Sequence, residues 1–318
     1  MSHIYVIHEN AAWLEPLAAA LDGQGLPWRD WFIDRGVFDL SRPPPEGVFY
    51  NRMSASSHTR DHRFAAELTT AVLAWLERHG RRVVNGSRAL DLEISKARQN
   101  AALEAAGIGV PDTVVVGGKE LLVEAARRCF ADGPFILKPN RGGKGLGVRL
   151  FHSTQALADH LDGPDYEPPV DGLHLLQQYV QSPVPLITRA EFIGGRFMYA
   201  VEVDTGDGFE LCPADACAVG DTFRPASTAP RAKFTIIEDI DGALRRRYEA
   251  FLATNNIDVA GIEFITDGAG FSHTYDVNTN TNYNQDAEVR AGRSGMVILA
   301  RYLGTELERI FGRQAAAD

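Results

Sequence analysis

Three cysteines in 318 residues, Cys129, Cys212 and Cys217, make an odd count without framework spacing, which argues against a disulfide-stapled scaffold. A basic excess is missing too. The formal net charge is −10, whereas a general nucleic-acid binder carries clustered Lys and Arg. No apolar run approaches the length of a membrane span, and residues 2–8 lack the basic segment of a targeting signal. These absences predict a cytoplasmic protein with neither membrane nor nucleic acid as partner, and they leave a homo-oligomer open. Internal repeats and low-complexity tracts are absent, and no serine or cysteine stands out as a nucleophile. What remains is a chain 45% hydrophobic and 23% charged, ample for packed cores in more than one lobe.

The most informative stretch is 135–151. Phe135-Ile136-Leu137 is a short apolar run fit for a buried strand; it ends in Lys138, and Val148 to Phe151 alternates like a second strand. Between them lie Arg141, Gly142, Gly143, Lys144, Gly145 and Gly147. Glycines let backbone N–H groups approach a polyanion and adopt φ > 0, and the three cations add charge at the same place. The loop is therefore read as a nucleotide-phosphate lid rather than a plain hairpin turn. It is not a P-loop, because Val148 stands where that motif needs Lys. The dinucleotide and kinase glycine loops fail for want of a third glycine at the same position.

Strands over 4–7, 31–33, 48–51 and 83–85 alternate with helices over 11–21 and 64–76, which predicts a small, mostly parallel sheet covered on both faces. This first lobe is placed at 1–94. The loop after its third strand, with Arg52, His58 and Arg60, lies where open parallel sheets bind ligands; it could equally cap the next helix through Ser or Thr. A zinc site at His58 and His62 is the poorer reading, since no third ligand is in reach. The central lobe, 95–182, is α+β: Ser95 caps a helix beginning at Lys96, and an apolar strand ends at Gln177-Gln178-Tyr179-Val180. The last lobe, 183–318, contains strands over 188–193, 197–203, 259–265 and 271–277 and a helix over 296–311. Cys212 and Cys217 read as buried thiols rather than a metal pair.

Glu263 is the single charge in the run 259–265, and an isolated buried carboxylate needs a cation or donor nearby. Asp276 and Asn278 point to one face of the next strand, so a tight turn lets all three converge. Two carboxylates and an amide oxygen are hard ligands suited to Mg2+; the competing reading is a salt bridge to an arginine such as Arg189.

With these residues in place, the chain resembles the ATP-grasp superfamily, nearest the ribosomal-protein glutamate ligases and lysine-biosynthesis ligases. The resemblance implies an α/β fold of α+β lobes, with an N-terminal Rossmann-like lobe ahead of two that clamp ATP. It implies phosphate contacts from Lys96, Lys138, Arg189 and the lid residues 141–147, and an adenine-binding segment at Gln177, Gln178, Tyr179 and Val180. It further implies two Mg2+ ions on Glu263, Asp276 and Asn278. The expected reaction joins a small-molecule carboxylate to an amine through an acyl phosphate, with Lys138 and Arg189 as the catalytic cations. Arg52, His58, Arg60, Asn280 and Asn282 are the expected substrate contacts. The chain departs from the family where Asp276-Val277-Asn278 replaces Glu-Val-Asn, in the run Asn280-Thr281-Asn282-Tyr283-Asn284, and in lacking a second arginine on the strand after Arg189.

Overall fold

The computed structural model describes residues 2–131, 133–143, 145–206, 209–210, 218–219 and 233–312, with backbone only at 209–210 and 218–219. Lys144, Cys212 and Cys217 therefore lie outside the described residues.

The chain opens with β1 (His3–His8), α1 (Ala11–Gly23), β2 (Trp28–Phe32), β3 (Gly47–Asn51), α2 (Ala65–Arg78) and β4 (Arg82–Val84). All pairings are parallel, in the order β2-β1-β3-β4. The inner strands β1 and β3 are largely apolar because both faces are covered, whereas edge strand β2 exposes Arg29 and Asp30. Ile7 and Phe49 face Leu73 and Leu76 of α2, while Ile4, Val6 and Val48 face Leu14, Leu17 and Leu21 of α1. Each such side chain fully withdrawn from water contributes roughly 1.5–3 kcal/mol.

Next come α3 (Ser87–Glu93), α4 (Lys96–Ala105), β5 (Thr113–Gly117), α5 (Leu122–Phe130), β6 (Phe135–Pro139), β7 (Arg149–Phe151), α6 (Thr154–Asp162) and β8 (Leu173–Gln178). The sheet is β5-β8-β6-β7 and antiparallel. Period-2 alternation divides β6: Phe135 and Leu137 enter a core with Leu157 and Leu176, whereas Ile136 and Lys138 line a cavity on the other side. The expected cap on α4 is present, Ser95 accepting from Arg98 N at 3.3 Å. The helix itself packs on the following lobe, Leu103 joining Phe264 and Val277. The sequence reading placed α4 in the central lobe and did not foresee α3.

The remainder is β9 (Leu186–Ile193), β10 (Arg196–Asp204), β11 (Phe209–Glu210), β12 (Ala218–Val219), β13 (Phe234–Ile237), α7 (Gly242–Thr254), β14 (Val259–Thr266), β15 (Ser272–Asn278), α8 (Gln285–Ala291) and α9 (Gly295–Leu307). The antiparallel order is β13-β10-β9-β14-β15, with β11 paired to β12 apart from it. One face packs on α7 through Ala190, Phe192, Ile262 and Phe264. The other meets α9, whose Leu299 and Leu303 also touch the first sheet. The predicted closing helix is thus α9, shared by two sheets, and α8 ahead of it was not foreseen.

Asn85, fully buried, ties these pieces together. Its φ of 56° is left-handed, a conformation Asn tolerates better than most residues. Nδ2 donates to Val259 O at 2.8 Å and Thr279 O at 2.9 Å, and Oδ1 accepts from Asp258 N at 2.9 Å and Val259 N at 3.0 Å. Asn85→Ala would strand four backbone groups, so a loss of ~3 kcal/mol or more in urea unfolding is expected; a loss under ~1 kcal/mol would show that they re-pair.

Candidate active site

β9, β14 and β15 place a row of charge across the third sheet. Arg189 is register partner to Glu263, and Glu263 to Asp276. All three side chains lie opposite the α7 face, because their neighbours Ala190, Ile262 and Val277 occupy that core. Arg189 donates to Glu191 Oε1 at 2.6 Å, Glu263 Oε1 at 2.8 Å and Thr281 Oγ1 at 2.6 Å, and Thr281 Oγ1 donates to Glu191 Oε2 at 2.9 Å. Gly261 makes room for this guanidinium: a Cβ there would lie 2.4 Å from Arg189 Nη2. Val201 stands opposite Arg189 on β10.

The second sheet brings its cations to the same row. Lys96 begins α4 and donates to Asp276 Oδ1 at 2.5 Å. Its position is set by Asn140, just after β6: Asn140 O accepts from Lys96 N at 3.1 Å and Asn140 Oδ1 from Ala97 N at 2.9 Å. Lys138 donates to Gln177 Oε1 at 2.9 Å and Tyr275 O at 3.4 Å. Burial, reinforced by the like charge of Lys96, pulls the Lys138 ammonium down to about 7. Burial pushes the Glu263 carboxyl up. For Asp276 burial acts in the same sense, but Lys96 and Lys138 outweigh it and hold the carboxyl down.

These residues line one cavity, partly open to solvent. Lys96, Lys138, Arg189, Glu263, Asp276 and Asn278 form its polar end; Ile136, Val148, Tyr179, Val180, Ile187 and Ile265 form apolar walls. Gly142, Gly143 and Gly145 of the lid close over it. The lid turns as its glycines suggested: Gly145 and Gly147 take φ of 69° and 74°, and Val148 N donates to Gly145 O at 3.1 Å. An apolar slot with a few convergent polar groups suits a small ligand.

Not every expected residue faces this cavity. Arg141, 5% exposed, turns away from it and binds Glu67 of α2 at 2.6 Å. Gln178 Oε1 accepts from Asp112 N at 3.2 Å and is not part of the lining. Arg60 pairs with Glu9, just after β1, at 2.6 Å, and His62 meets the same carboxylate at 3.0 Å. His58 sits on Ala55 O at 3.2 Å, its ring held below the ordinary range by burial and by Arg141. Arg52 binds the loop carrying Asn280 and Asn282 and does not line the cavity. Asn284 caps α8, accepting from Ala287 N at 2.9 Å. Sequence reasoning missed the roles of Asn85, Asn140 and Glu191. The Glu191 signal was available: it lies two residues from Arg189, on the same face of a strand.

Among the described residues no three His, Cys, Asp or Glu side chains group to hold a metal. The set at hand is two carboxylates and an amide, and it suits a hard cation on one observation: Glu263 Oε2 is buried with no hydrogen-bond partner. The foreseen salt bridge, Arg189 to Glu263, is also present; it engages Oε1, which accepts from Asn278 Nδ2 at 3.3 Å as well.

Three sheets, two of them enclosing this cavity under a glycine lid, make the ATP-grasp fold, and the chain has it. It superposes on the RimK domain protein ATP-grasp from Sphaerobacter thermophilus with a TM-score of 0.63 at 16% identity, covering 95% of this chain and 99% of that one. The ATP-grasp ligase PsnB, solved with minimal precursor, Mg and ADP, gives 0.62 at 16% identity, covering 94% and 96%. In sequence, the D-alanine–D-alanine ligase of Azorhizobium caulinodans is 30% identical over 139 residues, 41% of this chain and 44% of that ligase. The chain therefore matches less than half the length of that curated relative. No family model matches the chain.

Proposed function

We propose that the chain is an ATP-dependent carboxylate–amine ligase that forms an amide through an acyl phosphate and releases ADP and phosphate. The observation that carries the reading is the convergence of Lys96, Lys138, Arg189, Glu263, Asp276 and Asn278 at one end of an apolar slot under a glycine lid. The apolar end takes the adenine against Tyr179 and Val180, and the cations take the phosphates. Phosphoryl transfer asks mainly for positioning and charge neutralisation, which these residues supply without a protein nucleophile. Lys138 and Arg189 offset the charge that builds as a substrate carboxylate displaces ADP from the γ-phosphorus. The lid keeps water from the acyl phosphate until an amine attacks it. Glu263, Asp276 and Asn278 would hold Mg2+, which when bound neutralises phosphate charge. The ligase names of the similar proteins support the same reading.

Wild-type protein with Mg-ATP and a panel of amino acids and short peptides should release ADP and phosphate, and hydroxylamine should trap a hydroxamate. AMP among the products would exclude this mechanism. A phosphorylated product without free phosphate would indicate a kinase, and ATP binding without turnover a nucleotide-binding module.

Asp276→Asn tests the metal set. The Mg2+ concentration for half-maximal ATP hydrolysis should rise at least ~10-fold, the order of effect expected when a ligand shell is weakened. The circular dichroism spectrum should not change. An unaltered Mg2+ dependence would remove Asp276 from the ligand set.

A further inference from the structure

Arg52 directly follows β3 and is 2% exposed. Its guanidinium donates from Nε to Asn280 Oδ1 at 3.3 Å, from Nη1 to Trp13 O at 2.9 Å, and from Nη2 to Thr281 O at 3.3 Å and Asn282 Oδ1 at 2.7 Å. Every acceptor is neutral. The other buried or half-buried arginines nearby each hold a carboxylate: Arg60 has Glu9, Arg82 has Asp258 and Glu306, Arg141 has Glu67, and Arg189 has Glu191 and Glu263. Neutral acceptors satisfy the N–H groups of Arg52 but leave its charge uncompensated in a desolvated place, which is costly. Burial accordingly pulls it below the usual guanidinium range, opposed among the described residues by the phenols of Tyr50 and Tyr283.

The amides that meet Arg52 are oriented by it. Because Oδ1 of Asn280 and of Asn282 accepts from the guanidinium, each Nδ2 is directed elsewhere. Both residues are partly exposed, and neither Nδ2 donates to any described group. A cation bonded to an amide oxygen polarises the amide and strengthens its N–H donors. These donors lie close in sequence to Asn278 of the candidate metal set, and Asn282 also lines an open groove beside Trp13, Pro16 and Ala20 of α1. Arg52 itself stands after β3, beside β1, where the order β2-β1-β3-β4 reverses direction, the place at which open parallel sheets bind ligands. The nucleotide does not need this charge, since Lys96, Lys138 and Arg189 already line its cavity.

We propose that Arg52, acting through the side-chain amides of Asn280 and Asn282, recognises a carboxylate of the substrate. The inference rests on the ligase reading for what is done to that substrate. Arg52 is here a positioning residue, supplying the charge that the two amides present. The carboxylate belongs either to the acid that is activated or to an amino-acid acceptor, and the experiment separates the two.

Wild-type, Arg52→Lys, Arg52→Gln and Asn282→Asp proteins are loaded with Mg2+ and a non-hydrolysable ATP analogue. Each is titrated by thermal shift with acetate, amino acids and dipeptides, and with the carboxamide of each. Carboxylates should raise the wild-type Tm and their carboxamides should not. Arg52→Lys should keep part of the response, and Arg52→Gln should lose at least tenfold in affinity. Asn282→Asp supplies the missing counter-ion from within the chain. It should therefore raise the ligand-free Tm and yet lose at least tenfold in carboxylate affinity, which a purely structural arginine would not cause. The shift produced by the nucleotide analogue should be the same in all four proteins. Three outcomes each overturn the proposal: no carboxylate-dependent shift, equal shifts from carboxamides, or Asn282→Asp binding carboxylates like the wild type. In turnover assays, a defect of Arg52→Gln in hydroxamate formation assigns the carboxylate to the activated acid, and a defect confined to amide formation assigns it to the acceptor. Carboxylate binding of the expected pattern without any hydroxamate would overturn the ligase reading and uphold this one.

Discussion

Arg189→Met should destabilise the protein by ~3–5 kcal/mol at pH 8, the penalty for leaving a buried ion pair without its cation. Among the described residues the arginine is the only cation paired with either Glu191 or Glu263, both 2% exposed. Removing it leaves two buried carboxylates with only neutral donors, Thr281 Oγ1 to Glu191 at 2.9 Å and Asn278 Nδ2 to Glu263 at 3.3 Å. The deficit should depend on pH in a defined sense. In the variant both folded-state carboxyls lie further above their unfolded values, because burial is no longer opposed by a guanidinium. A carboxyl raised on folding costs stability above its folded pKa and recovers it as the pH falls through that value. The gap between wild type and variant should therefore narrow toward pH 5, and urea unfolding at several pH values reads this directly. Adding Glu191→Gln and Glu263→Gln should restore much of the stability at pH 8. A pH-independent deficit would mean that lost packing, not stranded charge, is responsible.

Lys138→Ala should abolish turnover and weaken ATP binding by ~10- to 150-fold, since a charge-assisted contact is worth roughly 1.5–3 kcal/mol. Wild-type ATP affinity in the variant would remove Lys138 from the phosphate site. A second signature belongs to the wild type. With its ammonium pulled down to about 7, Lys138 is mostly neutral in the free protein at pH 8. A polyanion favours the charged form, so nucleotide binding should take up a proton above pH 7 and progressively less below it. Calorimetry in buffers of different ionisation enthalpy measures this uptake. It should vanish in Lys138→Ala.

The parts of the site that could be read from sequence are those in which chemistry breaks a local pattern. Lys138 closes an apolar run, Glu263 interrupts another, and the glycines between Lys138 and Val148 leave few alternatives to a close backbone approach. Strand spacing then implied that Glu263 and Asp276 face each other, which the register bears out. The first sheet was legible for a related reason: strands buried on both faces are uniformly apolar, and breakers separate them. What could not be read is where long polar side chains spend their donors. Arg141, Arg60 and Arg52 are free cations in a sequence, whereas in the fold they meet Glu67, Glu9 and the loop at 280–282. Such partners are distant in the chain, and no periodicity encodes them. Asn85 and Asn140 escaped for the same reason, as each works through backbone groups distant in the chain. That α4 packs against strands of the following lobe was not legible either, because a boundary in sequence says nothing about the surface on which a helix settles.

The position of α9 bears on how the protein is made. Leu299 and Leu303 complete the hydrophobic face that Ile4, Val6 and Val48 begin, so the sheet synthesised first waits for a helix synthesised much later. On the ribosome the nascent first lobe keeps the part of this face that α1 does not cover open throughout synthesis of the central lobe. The central lobe has no such wait, its core being drawn from its own strands and helices. It can mature while its neighbour is still incomplete.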